Sequence, residues 1–161
     1  MRLVITTGSF GFNQLIDRII LSIDIISLQY NEIYIQYGMK EPESLKNLCL
    51  DGIPVRIHKV RYYSDINEFV MGADLIITHG GTGTVISLLG NTSLLGNIPF
   101  IVIPNKELIN NHQVEYCDSI SSDIFVSDLD SVVNDILKGG VQKRRLGLSE
   151  SLWAEEIMPY L

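Results

Sequence analysis

Residues 74–84 read Asp74-Leu-Ile-Ile-Thr-His-Gly-Gly-Thr-Gly-Thr84, an apolar run followed at once by a glycine-rich turn. The run predicts a buried β-strand, and the residues after the turn predict a helix from about Thr84. In a parallel α/β sheet, ligands lie at the carboxyl ends of the strands, where glycines let the main chain approach a phosphate. The stretch therefore indicates an α/β fold. Its turn has two interpretations, a diphosphate site or a turn that only reverses the chain.

Strand-like and helix-like segments alternate on both sides of this stretch. Short β-branched runs predict strands, and apolar residues at three- and four-residue spacing predict helices. The predicted strands are Arg2–Thr7, Glu32–Tyr37, Pro54–Val60 near a sheet edge, Asp74–Thr78, Phe100–Ile103 and Ile124–Val126. Further helices are predicted at Phe12–Ser27, Glu43–Cys49, Asp65 (as N-cap) to Val70, Asn111–Ser119 and Leu129–Lys138. This alternation predicts an α/β, Rossmann-like parallel sheet with helices on both faces.

Length and composition limit what the chain does. Its 161 residues predict one domain over 1–161, with 139–161 as a C-terminal tail that forms a last helix around Trp153. The net charge of −7 argues against a nucleic-acid partner. Cys49 and Cys117 lack the spacing of metal ligands, and no apolar run reaches the roughly 20 residues of a membrane span. We therefore expect a cytoplasmic protein without a metal site.

Known phosphate-binding and nucleophile motifs are absent from the sequence. The first turn reads Gly8-Ser-Phe-Gly11, which is not the G-x-G-x-x-G of dinucleotide-binding folds. Neither a P-loop nor a G-x-S-x-G nucleophile elbow occurs. The absence of these motifs argues against a standard dinucleotide-binding fold, a P-loop NTPase and a hydrolase with a nucleophile elbow.

A second polar segment, Asn105–Gln113, follows the predicted strand at Phe100–Ile103. Its amide and imidazole groups are suited to hydrogen-bonding sugar hydroxyls, a uracil edge or phosphate oxygens. A helix N-cap with exposed polar neighbours would leave the same pattern. His79, beside the glycine turn, is either a ligand contact or a structural residue, and His58 is predicted to be plain surface.

Four segments in order along the chain resemble the C-terminal domain of family 28 glycosyltransferases. They are Val4-Ile-Thr-Thr-Gly-Ser-Phe10, the 74–84 stretch, Pro99-Phe-Ile-Val-Ile-Pro104 and Asn111-His-Gln113. The resemblance spans roughly residues 1–138. Within the family, it is nearest to the cytosolic subunits of the UDP-N-acetylglucosamine transferases of asparagine-linked glycosylation. It implies the C-terminal half of a GT-B fold.

The resemblance also implies an activity and a partner. UDP-GlcNAc would be the donor substrate, with no cofactor and no metal. A membrane-anchored glycosyltransferase subunit would bind the lipid-linked acceptor and supply the other half of the cleft. The pair would add the second GlcNAc to GlcNAc-diphosphate-dolichol by an inverting transfer, on the cytosolic face of the endoplasmic reticulum membrane.

The substrate-binding residues that the resemblance implies lie in three segments of the chain. They are Gly8, His79, Gly80, Gly81, Thr82, Gly83, Thr84, Ser87, Asn111, His112 and Gln113. Residues 80–83 would hold the donor diphosphate, and residues 111–113 would contact the donor sugar or phosphates. No catalytic base is assigned. We expect Gly81→Val to abolish donor binding with the fold largely intact, because its Cβ would block the diphosphate.

Two departures from the family pattern leave other functions open. Ser87 stands where many relatives have an acidic residue that binds the ribose, and Ser87–Thr92 is nearly repeated as Ser93–Ile98. We expect the repeat to form a bulge or an extra loop. One alternative function is a bacterial-type polysaccharide glycosyltransferase subunit, and another is a non-catalytic scaffold that keeps the fold.

Overall fold

A computed structural model describes residues 1–90, 98–107, 112–121 and 124–139 of the chain. Its strands are β1 (Arg2–Thr6), β2 (Glu32–Gln36), β3 (Arg56–Val60), β4 (Leu75–His79) and β5 (Phe100–Ile103). All of the pairings are parallel, in the order β3-β2-β1-β4-β5. The carboxyl ends of the strands therefore lie at one edge, and the predicted Rossmann-like fold is confirmed.

The helices connect these strands. They are α1 (Asn13–Ile20), α2 (Ile23–Ser27), α3 (Glu43–Lys46), α4 (Ile66–Val70), α5 (Thr82–Gly90), α6 (His112–Ile120) and α7 (Val132–Leu137). Asp65 caps α4 as predicted, since its carboxylate accepts a hydrogen bond from the Asn67 N–H at 2.8 Å. The helix predicted over Phe12–Ser27 is two helices, because the Ser22 N–H turns back to the Ile19 carbonyl and ends the α-helical ladder there.

Alternate residues of each strand enter two separate cores. On β1, Leu3 and Ile5 belong to the core beneath α1, α2 and α7, whereas Val4 belongs to the core beneath α4, α5 and α6. This alternation follows from the two-residue period of a strand. Both faces of the sheet are thus covered by helices, as the sequence predicts.

Several boundaries differ from the prediction. The sixth strand, expected at Ile124–Val126, is a single parallel bridge from Val126 to Val102. Helix α3 has four residues and ends at Lys46, and α5 begins two residues before Thr84. The last helix around Trp153 and most of the second copy of the repeat lie outside the described residues.

Candidate functional site

Two glycine-containing turns meet at the carboxyl edge of the sheet. The central strands β1 and β4 are neighbours, and Thr6 pairs with Thr78 near their ends. The turn that begins at Gly8 therefore lies beside the turn at Gly80–Thr82. These two turns are about seventy residues apart in sequence, yet they are neighbours in the fold, as the resemblance implies.

The imidazole of His79 lies between these two turns. A Cβ atom on Gly8 would lie 2.5 Å from its Nε2, and a Cβ on Gly81 would come closer still to the same atom. Gly8 also has a φ of +72°, which favours glycine. Both glycines are therefore required by the packing of His79, whatever ligand the turns hold.

This packing corrects the expected effect of Gly81→Val. The new side chain would collide with the ring of His79, which is partly buried between the two turns, so the ring or the turns would have to shift. The expectation of an intact fold was wrong, because the sequence does not show that Gly81 faces a protein side chain. A loss of donor binding in that variant would not identify a ligand contact.

His79 is a neutral residue in this position. Burial lowers the pKa of its imidazole from 6.5 to about 4, and the Thr6 carbonyl acts in the opposite direction. Its Nδ1 is buried and has no hydrogen-bond partner among the described residues. At neutral pH the ring therefore offers polar nitrogen atoms and no positive charge.

The start of helix α5 is open to a ligand. Its first main-chain hydrogen bond runs from the Val85 N–H to the Gly81 carbonyl, at 3.0 Å. The N–H groups of Thr82, Gly83 and Thr84 precede that bond, so they have no acceptor within the helix. Gly83 is exposed, and a Cβ there would meet nothing within 4 Å. An anion at this point would meet free N–H groups and the positive end of the helix dipole.

Gly80 has a packing role that the sequence does not reveal. Its N–H donates to the Ile103 carbonyl at 3.0 Å, and a Cβ would lie 2.6 Å from Sγ of Cys117 on α6. Burial raises the pKa of that thiol to about 12, so Cys117 packs here as an uncharged group. Gly80 is thus needed for the contact between the end of β4 and α6, and its predicted diphosphate contact stays a prediction.

The loop after β5 is tied to the two helices beside it. The Gln113 side-chain oxygen accepts from the Asn105 N–H at 3.1 Å, and the Asn105 side-chain oxygen accepts from the Glu107 N–H at 3.0 Å. Gln14 of α1 donates to the Glu107 carboxylate at 2.6 Å. The amide of Gln113 thereby braces the loop, and its predicted contact with the donor remains a prediction.

The remaining predicted contacts are those of Asn111, His112 and Ser87. Asn111 lies outside the described residues, and His112 is described only as the first residue of α6. The Ser87 hydroxyl donates to the Gly83 carbonyl at 2.9 Å, one turn earlier on α5. Its predicted contact with the ribose of the donor stays a prediction.

Sequence reasoning missed the buried side chain of Gln36, the last residue of β2. Its amide donates to the Gly8 carbonyl at 2.8 Å and accepts from the Gly8 N–H at 3.0 Å. The signal that could have found it is a glutamine at the end of a run of apolar residues, Ile33–Ile35 with Tyr37 beyond. A buried amide at a strand end has to find partners, and the nearest main chain is the first turn.

His58 is not plain surface, so that prediction was wrong. It is half-buried on β3, where the register places it beside Tyr34. The two rings stack with centroids 4.4 Å apart, and Nε2 of His58 lies 3.4 Å from the Glu32 carboxylate. The strand lies at the edge of the sheet, as predicted, and it pairs with β2 on its inner side. His58 covers the ring of Tyr34 there.

Two features are missing from the part of the chain that the structure describes, a metal-binding cluster and a membrane-spanning helix. No group of three His, Cys, Asp or Glu side chains there could hold a metal ion. Likewise, none of the helices described combines the length and apolar character of a membrane span. The predicted absence of a metal requirement stays a prediction.

Comparison with known proteins identifies similar chains. Relatives named UDP-N-acetylglucosamine transferase subunit ALG13 include one from Mus musculus, 31% identical over 121 aligned positions, with 71% of this chain and 9% of the relative covered. The Candida albicans relative is 32% identical over 154 aligned positions, with 70% of this chain and 50% of the relative covered. The Cryptococcus neoformans relative is 27% identical over 169 aligned positions, with 84% of this chain and 83% of the relative covered. The chain thus spans half or less of the length of two of these relatives.

A solved structure is similar in fold. MurG from Acinetobacter baumannii superposes with a TM-score of 0.58 at 17% sequence identity, over 99% of this chain and 46% of the MurG chain. At this identity the likeness shows the fold alone, and it is consistent with the expected half of a GT-B fold.

The family itself is identified by a match of sequence. The profile of the glycosyltransferase family 28 C-terminal domain matches residues 2–129, which include both glycine turns and the loop after β5. Because that match covers most of the chain, the protein belongs to glycosyltransferase family 28, in the part that corresponds to the family's C-terminal domain.

Proposed function

We propose that this chain is the UDP-GlcNAc-binding subunit of an inverting N-acetylglucosaminyltransferase. The observation that carries the proposal is the open N-terminus of α5, which lies beside two glycine turns packed on the neutral His79. Such an arrangement suits the diphosphate of a sugar nucleotide. The name of the relatives, UDP-N-acetylglucosamine transferase subunit, supports this donor.

The proposal includes a partner. Two observations support a second half that closes the cleft: the chain superposes on about half of the MurG chain, and its relatives are named subunits. We assign that half to a membrane-anchored subunit that binds the lipid-linked acceptor. The pair would add the second GlcNAc to GlcNAc-diphosphate-dolichol, with this chain cytoplasmic and recruited to the cytosolic face of the endoplasmic reticulum membrane.

In the proposed reaction, the acceptor hydroxyl attacks the anomeric carbon of the donor. The bond from that carbon to the β-phosphate oxygen breaks, and UDP leaves with the electron pair. The free N–H groups at the start of α5 are placed to stabilise the charge that develops on the diphosphate. The acceptor proton passes to a base that we assign to the partner half.

Gly83→Glu is the substitution that tests the diphosphate site. We expect it to lower UDP-GlcNAc affinity at least tenfold, because a carboxylate at the second residue of α5 repels the diphosphate. The same carboxylate favours the helix dipole, and replacing a helical glycine adds up to about 1 kcal/mol of stability. Ligand-observed NMR titration and urea unfolding would measure the two opposite effects.

Gly83→Gln is the matched control, since it has the same size without the charge. A Cβ at this position meets nothing within 4 Å, so both variants should fold. We expect the Gln variant to bind UDP-GlcNAc more tightly than the Glu variant. Equal, wild-type affinity in both would place the donor site elsewhere on the chain.

A second prediction concerns the partner. A half-cleft buries only part of a substrate, so we expect the purified chain to show no transferase activity until the acceptor-binding subunit is added. A radiolabelled UDP-GlcNAc transfer assay onto GlcNAc-diphosphate-lipid would measure this. Turnover by the chain alone would contradict the two-subunit proposal.

Ser87 favours one alternative function, a non-catalytic scaffold. Its hydroxyl donates to the Gly83 carbonyl at 2.9 Å, at the position where the family resemblance implies a carboxylate for the ribose. Partner binding without UDP-GlcNAc binding, in the complex as well as alone, would support the scaffold. A bacterial-type polysaccharide subunit would bind the same donor and differ in the acceptor that the complex uses.

A further inference from the structure

We propose that Gln36 is a positioning residue for donor binding, the side chain that fixes the turn after β1 beside the start of α5. The proposal rests on the proposed function, because it concerns the same site. Gln36 lies at the end of β2 and is only 1% exposed. Its hydrogen bonds, and those of the turn it holds, support this role.

The Gln36 amide is saturated by hydrogen bonds, most of them to the end of β1. Its Oε1 accepts from the Thr7 N–H at 2.9 Å, the Gly8 N–H at 3.0 Å and the Thr6 hydroxyl at 3.0 Å. Its two donors go to the Gly8 carbonyl at 2.8 Å and the Arg61 carbonyl at 3.0 Å. Gly8 is thus held at both its N–H and its carbonyl by one side chain.

The hydrogen bonds of Gln36 determine which main-chain groups of the turn after β1 stay available to a ligand. The Gly11 N–H closes the turn onto the Gly8 carbonyl at 3.3 Å. Gln36 takes the N–H groups of Thr7 and Gly8, whereas those of Ser9 and Phe10 have no acceptor within the described ranges. Successive free N–H groups in a turn form a concavity that binds anions. Gln36 therefore leaves two donors of the turn for a ligand.

The same side chain also acts on α5, through His79. Gly8 packs against Nε2 of His79, and Gly81, the residue before α5, packs against the same atom. A displaced Gly8 would release the ring, and the start of α5 would lose the neighbour that fixes it. The order of contacts is Gln36 to Gly8, Gly8 to His79, and His79 to Gly81.

A purely structural Gln36 would stabilise the sheet and nothing more. The positioning role makes a different prediction, because a displaced turn weakens the binding of a diphosphate more than that of a nucleoside. The comparison of UDP with uridine therefore separates the two roles. Loss of folding alone would reduce the binding of both ligands together.

The test uses Gln36→Glu, which keeps the size and the single acceptor oxygen of the side chain but replaces its NH2 group, and so both N–H donors, with a second oxygen. We expect the affinities for UDP and UDP-GlcNAc to fall about tenfold relative to wild type, with the saturation-transfer signal of uridine unchanged. Gln36→Met is the second variant, uncharged and of similar length, and the same selective loss is expected. Urea unfolding of each variant would show that it is folded during the titration.

Thr7→Val is the matched control. It removes a buried hydrogen bond from the Thr7 hydroxyl to the Gln36 main-chain carbonyl, at 2.8 Å, without changing the bonds to Gly8. We expect it to lose stability while its affinity for UDP stays within about twofold of wild type.

The possible results separate this proposal from the proposed function. If the wild-type chain binds neither UDP nor UDP-GlcNAc, alone or with its partner, the proposed function fails and the positioning role fails with it. If the wild type binds but both Gln36 variants bind UDP within about twofold of it, only the positioning role is overturned. The role is also overturned if both variants lose the native fold, or if Thr7→Val weakens UDP binding as much as they do.

Discussion

Gly38→Ala is expected to lower the free energy of unfolding by about 3 kcal/mol or more, since two costs add at this position. Gly38 has a φ of +81°, which an L side chain adopts only with strain. A Cβ there would also lie 2.5 Å from the Gly11 N and 2.7 Å from the Gly8 carbonyl oxygen. Both are main-chain atoms of the turn after β1, so relief of the clash has to move that turn. Urea unfolding followed by circular dichroism would measure the loss.

Gly52→Ala is the control that separates the two costs. Its φ of +78° is nearly the same, but a Cβ there meets nothing within 4 Å. Strain without a clash should cost only about 1 kcal/mol. Equal losses in the two variants would show that the turns after β1 and β2 do not pack as closely as described.

Local patterns were sufficient to predict most of the elements of this fold. The continuous apolar run Leu3–Ile5 predicts a strand with both faces covered, and Leu3 and Val4 do enter opposite cores. Asp65 predicts the start of α4 because its carboxylate can accept from the main chain two residues on. Such signals depend on residues a few positions apart, which the sequence shows directly.

The roles of individual site residues depend on distant neighbours and could not be predicted in this way. The sequence places Gly80 and Gly81 together in one glycine turn, yet one packs on Cys117 and the other on His79. Gln36 is far from Gly8 in sequence and reaches it only because β2 pairs with β1. The order of strands in the sheet creates these contacts, and periodicity carries no information about that order.

These different packing partners make Gly83 a better probe of the proposed site than the glycines before it. Each preceding glycine of the turn packs closely on a side chain, Gly80 on Cys117 and Gly81 on His79, so a substitution there disturbs the packing as well as the ligand surface. Gly83 faces open space at the start of α5, where a side chain meets a ligand before it meets the protein. A glycine-rich motif thus contains positions with different roles, and only the structure distinguishes them.

Lowering the pH from 7 to 5 is expected to cost about 2 kcal/mol of stability through His79 alone. Burial lowers the pKa of His79 from 6.5 to about 4 in the folded chain, so folding favours the neutral ring. The stabilisation is therefore fully present above the unfolded pKa of 6.5, and it is lost as the pH falls toward 4. Urea unfolding at pH 7, 6 and 5 would measure it in the wild type and in His79→Gln, which has no titrating ring.

Comparing the wild type with His79→Gln separates the effect of this histidine on stability from the effects of the acidic residues. Hydrogen bonds to Arg2 and to the main chain of Ser131 lower the pKa values of Glu32 and Asp128, so those carboxylates titrate below the interval measured. We expect the wild type to lose more stability than His79→Gln between pH 7 and pH 5, by about 2 kcal/mol. Parallel pH profiles, together with an imidazole that titrates near 6.5 by NMR, would mean that His79 is accessible to water. The glycine turns would then not enclose it, and its place as the contact between Gly8 and Gly81 would be contradicted.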